Sequence, residues 1–241
     1  MFEYEKKDIV DRYVQDVNKI GLWSSEKEIF TKFIHKDDSI LDLGCGAGRT
    51  TFNLYNMGYT NIEGIDLSVD LINEAKKLAD AMDCNISFSH MDARELKYDE
   101  QKFDCVFFSY NGLFTIPKYE ERSKVLKEVW RVLKDDRLFI FTSYDRNGNS
   151  KYSDFWLKEK ELWENNQHQK FLYEYGDRYV KFNENELVFI HVADDLEVEK
   201  MIKEQNFKLE YKQKKSEICA PSPQETGVYG DCIFYIVRKM G

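Results

Sequence analysis

The segment ILDLGCGAGR, residues 40–49, decides the fold of this chain. Its first four residues predict a buried strand, and the three glycines that follow at alternate positions predict a loop of bare backbone before a helix. A glycine has no Cβ, so a ligand can lie directly against this backbone at the carboxyl end of the strand. The spacing differs from the G-x-G-x-x-G of dinucleotide folds, because Arg49 or Thr51 occupies the place of the third glycine.

Acidic residues follow the next two predicted strands. Asp66 ends the strand NIEGID at residues 61–66, where a carboxylate can accept hydrogen bonds from both hydroxyls of a ribose. Asp92 follows the strand NISFSH at residues 85–90, where a carboxylate can accept a hydrogen bond from the exocyclic amine of adenine. These carboxylates and the glycine loop predict a site for an adenosine without a pyrophosphate.

Strand and helix patterns alternate through the first two thirds of the chain. Apolar runs at residues 103–109 and 137–143 flank a helix that carries Val125 and Leu133, which predicts an α/β fold with a doubly wound, Rossmann-like parallel sheet. Two helices are predicted in residues 1–37, the second with a capping box formed by Ser25 and Glu28. We interpret residues 144–193 as an insert within one domain that spans residues 1–241. Strands at residues 207–213 and 232–238 end the pattern.

With these motifs in one order, the chain resembles the class I S-adenosylmethionine-dependent methyltransferases. The resemblance is carried by ILDLGCGAGR, GIDLS, the pair Asp92-Ala93, FDCVFFSYN and VLKEVWRVLKDDRLFIFTS, which together cover residues 39–143. It implies a mostly parallel, seven-stranded sheet whose last strand is antiparallel. It also implies S-adenosylmethionine as the cofactor and a substrate cap built from the insert at residues 144–193.

The resemblance further implies which residues contact the cofactor. They are Asp42, Gly44, Cys45 and Gly46 at the methionine part, Asp66 at the ribose, Leu67, Asp92 and Ala93 at the adenine, and Ser109 and Tyr110 on the methyl-donor side.

Composition limits the class of partner and the compartment. The 241 residues carry 35 Lys and Arg against 44 Asp and Glu, a formal charge of −9, which disfavours nonspecific binding to nucleic acid. The five cysteines are odd in number and include no C-x-x-C pair, so neither a disulfide framework nor a metal site is expected. The sequence shows no secretory signal and no membrane span. We therefore expect a soluble, cytoplasmic protein.

Methyl transfer needs alignment of acceptor, methyl group and sulfur more than it needs a base. If a base assists, His191 and Tyr144 are the candidates. Each also has a structural interpretation, His191 as a hydrogen-bonded strand residue and Tyr144 as part of the cleft wall. An aromatic lid over a cation or a flat substrate, or alternatively ordinary core packing, would explain Trp23, Trp156, Trp163, Tyr173 and Tyr175.

The acceptor is predicted to be a small molecule methylated at an oxygen or nitrogen atom. Residues 109–112 read Ser-Tyr-Asn-Gly and lack the Asn-Pro-Pro-Tyr pattern of families that methylate exocyclic base amines or glutamine amides. Two alternatives remain open, namely a methyltransferase of the tRNA wobble-uridine type and a noncatalytic protein that binds S-adenosylmethionine. A dehydrogenase is disfavoured because the third dinucleotide glycine is missing.

Overall fold

Two amphipathic helices precede the sheet, α1 (Lys7–Lys19) and α2 (Ser24–Phe33). The structure is a computed structural model that describes residues 7–181, 187–222, 225 and 231–241. The N-cap of α2 is Trp23, two residues before the Ser25 of the predicted capping box. The carboxylate of Glu26, not Glu28, accepts a hydrogen bond from the Trp23 backbone N–H at 2.8 Å and caps the helix.

The predicted alternation of strands and helices continues from residue 40. The elements are β1 (Ile40–Leu43), α3 (Arg49–Asn56), β2 (Ile62–Asp66), α4 (Val69–Ala81), β3 (Ser87–His90), β4 (Phe103–Phe108), α5 (Tyr119–Val132) and β5 (Leu133–Ser143). A short 3₁₀ helix over Gly112–Thr115 follows β4. The interpretation of Leu133 as a helical residue was wrong, because its backbone is extended and pairs with Phe103 at the start of β5.

The insert forms a helix and an antiparallel strand pair. A 3₁₀ turn over Ser150–Tyr152 leads into α6 (Ser153–Glu164), and β6 (Asp177–Lys181) pairs with β7 (Leu187–His191). The chain then forms α7 (Asp195–Glu204), β8 (Phe207–Lys214), α8 (Lys215–Ile218) and β9 (Ile233–Lys239).

The main sheet has seven strands in the order β3-β2-β1-β4-β5-β9-β8. Strands β1 to β5 pair in parallel, and β9 runs antiparallel to both of its neighbours. All residues of β1 and β4 are buried, since helices cover both faces of the sheet. The predicted fold class is confirmed.

This topology determines where a ligand can bind. Strand order reverses between β1 and β4, and the loops that leave neighbouring strands there diverge to opposite faces and open a crevice at the carboxyl ends. None of the described helices is long and apolar enough to cross a membrane.

Candidate cofactor and acceptor site

The glycine loop leaves β1 in a conformation that requires glycine. Gly44, Gly46 and Gly48 have φ values of +69°, +57° and +91°, in the left-handed region that side chains disfavour. A Cβ added at Gly44 would lie 2.5 Å from the ring of Phe108 at the end of β4. The loop therefore packs against β4 with bare backbone, as a ligand cradle at this crevice requires.

The carboxylate of Asp66 is hydrogen-bonded both to the loop after β1 and to the loop after β2. Its two carboxylate oxygens accept hydrogen bonds from the backbone N–H groups of Gly46 and Ser68, each at 2.8 Å. Burial raises the pKa of Asp66, although these backbone N–H groups act in the opposite direction. Each oxygen retains a lone pair, so the carboxylate can still accept bonds from two hydroxyl groups of a ligand.

A cavity of about 470 Å³ opens beside Asp66 and Gly44. Its size is in the range of small-molecule and cofactor sites. Among the residues assigned to the cofactor from the sequence, those that line the cavity are Gly44, Cys45, Asp66, Leu67, Asp92, Ala93, Ser109 and Tyr110. The structure thus brings together, at one crevice, residues that follow four different strands.

Asp42 and Gly46 lie next to the cavity, behind its lining. Asp42 is buried and accepts a hydrogen bond from the hydroxyl of Thr51 at 2.7 Å. Burial raises the pKa of Asp42 to about 7. Gly46 lies under α1, where an added Cβ would approach the ring of Tyr13 to 3.0 Å. Neither residue belongs to the described cavity lining.

Asp92 enters the cavity wall as half of an ion pair. The guanidinium of Arg94 donates to it at 2.7 Å, and the same group bonds to Glu121 of α5 at 2.7 Å. The hydrogen bonds from Arg94 lower the pKa of Asp92, which keeps this carboxylate ionised at neutral pH. The carboxylate is thereby fixed at the edge where the adenine amine is expected.

A buried ion pair that was not predicted from the sequence forms the wall next to β4. Arg49 is 4% exposed and Glu26 is 0% exposed, and two hydrogen bonds of 2.7 Å join the guanidinium to the carboxylate. Arg49 also donates to the Ser109 hydroxyl at 2.8 Å, and its guanidinium lies 4.1 Å from the centre of the Tyr110 ring. Arg49 directly follows the glycine loop, but nothing local in the sequence points to its partner on α2.

Aromatic side chains cover much of the remaining cavity wall. They are Tyr13 of α1, Phe108 at the end of β4, Tyr110 after it, and Tyr173, Tyr179 and Phe189 of the insert. Of the aromatic residues considered for a lid, only Tyr173 is in the described cavity lining, whereas Trp23 is buried in the hydrophobic core. The alternation of side chains along a strand can place Tyr179 and Phe189 on one face of a strand pair, but the sequence does not show what that face covers.

The two candidate bases lie outside the described lining of the cavity. Tyr144 is partly buried and packs against the core cluster that contains Trp23 and Phe234. His191 is 1% exposed at the end of β7, with Nδ1 2.7 Å from an oxygen of Asp177 and Nε2 2.7 Å from an oxygen of Glu197. Burial would lower the pKa of His191, but the hydrogen bonds to both carboxylates outweigh burial and raise it.

The carboxylates around His191 also resemble the start of a metal site. One ligand atom each of Glu174, Asp177 and His191 lies within 4.8 Å of the others. Glu174 is already paired with the buried guanidinium of Arg122 at 2.5 Å, and both ring nitrogens of His191 are bonded to carboxylates. Partners within the chain therefore already engage these groups, and we assign no metal to the cluster.

The residues present suit the cofactor that the sequence resemblance implies. The bare backbone at Gly44 gives close approach, Asp66 has lone pairs for two ribose hydroxyls, and Asp92 is ionised beside Ala93. Aromatic residues of β4 and of the insert line the same cavity.

Comparison with known proteins also indicates a methyltransferase. A methyltransferase domain family matches residues 40–136. Phosphoethanolamine N-methyltransferase 3 of Arabidopsis thaliana is 24% identical over 135 residues, which are 56% of this chain and 27% of that protein. Demethylmenaquinone methyltransferase of Lactococcus lactis is 40% identical over 99 residues, 40% of this chain and 38% of that protein. The chain thus spans well under half the length of either relative.

Similarity to solved structures extends over more of the chain. A structure from Methanosarcina mazei, described as an S-adenosylmethionine-dependent methyltransferase, superposes with a TM-score of 0.72 at 23% identity, covering 91% of this chain and 99% of that one. At this identity the likeness establishes the fold. The family match over residues 40–136, the sheet order and the position of the cavity support a class I S-adenosylmethionine-dependent methyltransferase, with S-adenosylmethionine as the cofactor.

Proposed function

We propose that this protein transfers the methyl group of S-adenosylmethionine to an oxygen or nitrogen atom of a small-molecule acceptor. The observation that carries the proposal is the single cavity in which Asp66, Asp92 and the glycine loop meet the aromatic residues of the insert. One cavity with both sets of residues would hold the cofactor and an acceptor side by side. Holding two reactants in the reactive orientation gives effective molarities of about 10⁵ to 10⁸ M.

Residues of the chain would hold the cofactor at three points. The backbone at Gly44 and Cys45 would contact the methionine part, and Asp66 would accept hydrogen bonds from the ribose hydroxyls. Leu67 and the Asp92-Ala93 pair would hold the adenine, while Ser109 and Tyr110 would face the methyl donor. The bound cofactor supplies an electrophilic methyl group on a sulfonium, and the protein supplies alignment and exclusion of water.

The proposed methyl transfer needs no dedicated base. Tyr144 packs in the core and His191 is bonded to two carboxylates, so neither is placed to receive a proton from a molecule in the cavity. An acceptor whose oxygen or nitrogen is nucleophilic near neutral pH can react by alignment alone. We therefore propose that rate enhancement comes mainly from orientation.

Charge and enclosure support a small acceptor and a cytoplasmic location. The formal charge of −9 opposes the approach of an RNA backbone. The insert contributes Tyr173, Tyr179 and Phe189 to the cavity wall on the proposed acceptor side. The acidic surface and the five free cysteines suit a reducing cytoplasm.

Calorimetry with S-adenosylhomocysteine, followed by transfer of a radiolabelled methyl group to a panel of small molecules, tests the proposal. We expect saturable binding of S-adenosylhomocysteine and label transfer to a small acceptor. Binding without transfer to any acceptor would favour the noncatalytic alternative, and salt-sensitive retention and labelling of tRNA would favour the RNA alternative. Absence of S-adenosylhomocysteine binding at millimolar ligand would refute the proposal.

A further inference from the structure

The described cavity lining is aromatic on the proposed acceptor side and contains no unpaired cation, although Lys118 lies outside the lining with its Nζ 4.8 Å from the centre of the Tyr173 ring. The insert contributes Tyr173, Tyr179 and Phe189, and the rings of Tyr179 and Phe189 lie 5.6 Å apart in an edge-to-face arrangement. These two residues are directly opposite each other on β6 and β7. They form one continuous aromatic surface, which packs best against a flat apolar ligand.

The cations in the described cavity lining are already neutralised. Arg49 makes a two-bond pair with Glu26, and Arg94 bonds to both Asp92 and Glu121 at 2.7 Å. Neither guanidinium is free to pair with a phosphate or carboxylate of a ligand. No Lys or His belongs to the described lining. An anionic acceptor would therefore lose its hydration without gaining a charged partner, which is costly.

We propose, on the basis of the function proposed above, that the acceptor is an uncharged, ring-bearing molecule with a nucleophilic hydroxyl or amine attached to the ring. The aromatic surface formed by Tyr179 and Phe189 contacts the ring. In the proposed transfer the acceptor oxygen or nitrogen would bond to the methyl carbon as the methyl–sulfur bond breaks, and the acceptor's proton would pass to solvent. A phenol or an arylamine suits a cavity without a base, because its oxygen ionises more easily, or its nitrogen is less basic, than that of an alkyl alcohol or amine.

A matched pair of probes tests the class of acceptor. Calorimetry on the protein saturated with S-adenosylhomocysteine compares 1-naphthol with 1-naphthyl phosphate, and adds phosphoethanolamine and glycine as small polar molecules. We expect 1-naphthol to bind at least about 10-fold more tightly than its phosphate, because the phosphate finds no unpaired cation in the described cavity lining. Equal affinities, tighter binding of the phosphate, or no binding of 1-naphthol would overturn the inference. Failure of S-adenosylhomocysteine itself to bind would instead refute the proposed function.

Substitutions then locate the binding surface. Phe189→Leu and Tyr179→Leu keep apolar volume but lose the ring, and we expect each to weaken 1-naphthol binding by about 10-fold with S-adenosylhomocysteine affinity unchanged. Tyr152→Leu is the matched control, because Tyr152 is an exposed aromatic of the same insert outside the described lining. Equal effects of all three substitutions would contradict the assigned surface.

A separate observation assigns a role to His191. Asp177 and His191 form one pair across the β6–β7 ladder, and Tyr179 and Phe189 form the pair two residues along it. Alternation along a strand puts both pairs on the same face. The second carboxylate oxygen of Asp177 accepts the backbone N–H of Tyr173 at 2.8 Å. The His191–Asp177 unit is therefore connected to all three insert residues in the cavity wall.

The same unit is fixed to the core of the domain. Glu197 of α7 accepts the other ring N–H of His191, and Glu174 pairs with Arg122 of α5, which is fully buried. We infer that His191 is a positioning residue. As an imidazolium between Asp177 and Glu197, it holds the strand pair against α7 and so keeps the aromatic surface over the cavity.

Hydrogen exchange and kinetics distinguish positioning from proton transfer. We expect His191→Leu to speed amide exchange in β6 and β7 but not in α3, and to raise the acceptor KM or Kd with little change in kcat. His191→Gln, which can still bond to one carboxylate, should be intermediate. Unchanged exchange in β6 and β7 would overturn this role. A fall in kcat with loss of one limb of its pH profile at constant KM would show that His191 is a base.

Discussion

Replacement of Asp66 by alanine is the sharpest test of the cofactor site. Its carboxylate bonds to Gly46 and Ser68 and retains a lone pair on each oxygen for the two ribose hydroxyls. A hydrogen bond to a charged group contributes about 1.5–3 kcal/mol, but hydroxyls released by the variant can bond to water. We therefore expect Asp66→Ala to weaken S-adenosylhomocysteine binding by about 1–3 kcal/mol, or roughly 5- to 150-fold in Kd.

Isothermal titration calorimetry at fixed salt measures this change. Asp66→Asn should fall between wild type and Asp66→Ala, since an amide offers one acceptor oxygen where a carboxylate offers two. Asp80→Ala is the control, because Asp80 is exposed on α4, away from the cavity lining. Circular dichroism verifies that each variant is folded. An Asp66→Ala protein that is folded and binds S-adenosylhomocysteine as tightly as wild type would refute the assignment of Asp66 to the ribose.

Three further predictions concern stability. Gly44→Ala should lower the free energy of urea unfolding by more than about 1–2 kcal/mol, which is the cost of a left-handed backbone alone, because the added Cβ also clashes with Phe108. Gly58→Ala is the control and should show the conformational cost alone, since Gly58 has a φ of +95° but its nearest neighbour is 3.9 Å from the added Cβ. Glu26→Gln should cost about 3–5 kcal/mol in the same assay, since a buried guanidinium loses its counterion; a loss within measurement error would count against the pair. The pKa of His191 is raised in the folded state, so the higher Tm of wild type relative to His191→Gln should be fully present below about pH 6.5 and should decline as the pH rises through the folded-state pKa. A Tm difference that stays constant from pH 6 to pH 10 would contradict the inference that His191 is protonated in the folded protein.

In the function proposed above, the site combines a cofactor half and an acceptor half that are built differently. The proposed cofactor half comes from residues at or directly after the ends of β1, β2 and β3 and offers backbone groups and carboxylates. The proposed acceptor half comes from side chains of α1, the end of β4 and the insert. A common fold can thus retain one cofactor while the insert changes the acceptor, since function depends on the site and not on the fold.

The sequence by itself determined the fold class and the framework of the cofactor half. Glycine is required where φ is positive, as at Gly44, and this requirement is visible in the residue type alone. Strands buried on both faces are continuously apolar, so β1 and β4 could be recognised without any partner. Asp66 follows from the same local order, because the carboxyl ends of neighbouring parallel strands meet at one edge.

Only the tertiary structure decided which distant side chains meet at the wall of the cavity. Glu26 and Arg49 are 23 positions apart, and Ser109 is 60 positions beyond Arg49, yet all three are joined by hydrogen bonds. The start of α2 also depended on this network, since Glu26 both caps the helix and binds Arg49. Pairing of this kind follows from how helices pack on the sheet, and no local pattern records it.

The same reason explains the residues of the insert. Its aromatic and β-branched composition predicted strands, but the surface covered by Tyr179 and Phe189 depends on how β6 and β7 dock on the domain. That docking is made by charges on three separate elements, at His191 and Arg122, which are buried, and at Glu197, which is partly buried. Residue type shows that a histidine can bind, donate or titrate, whereas only its folded surroundings decide which of these it does.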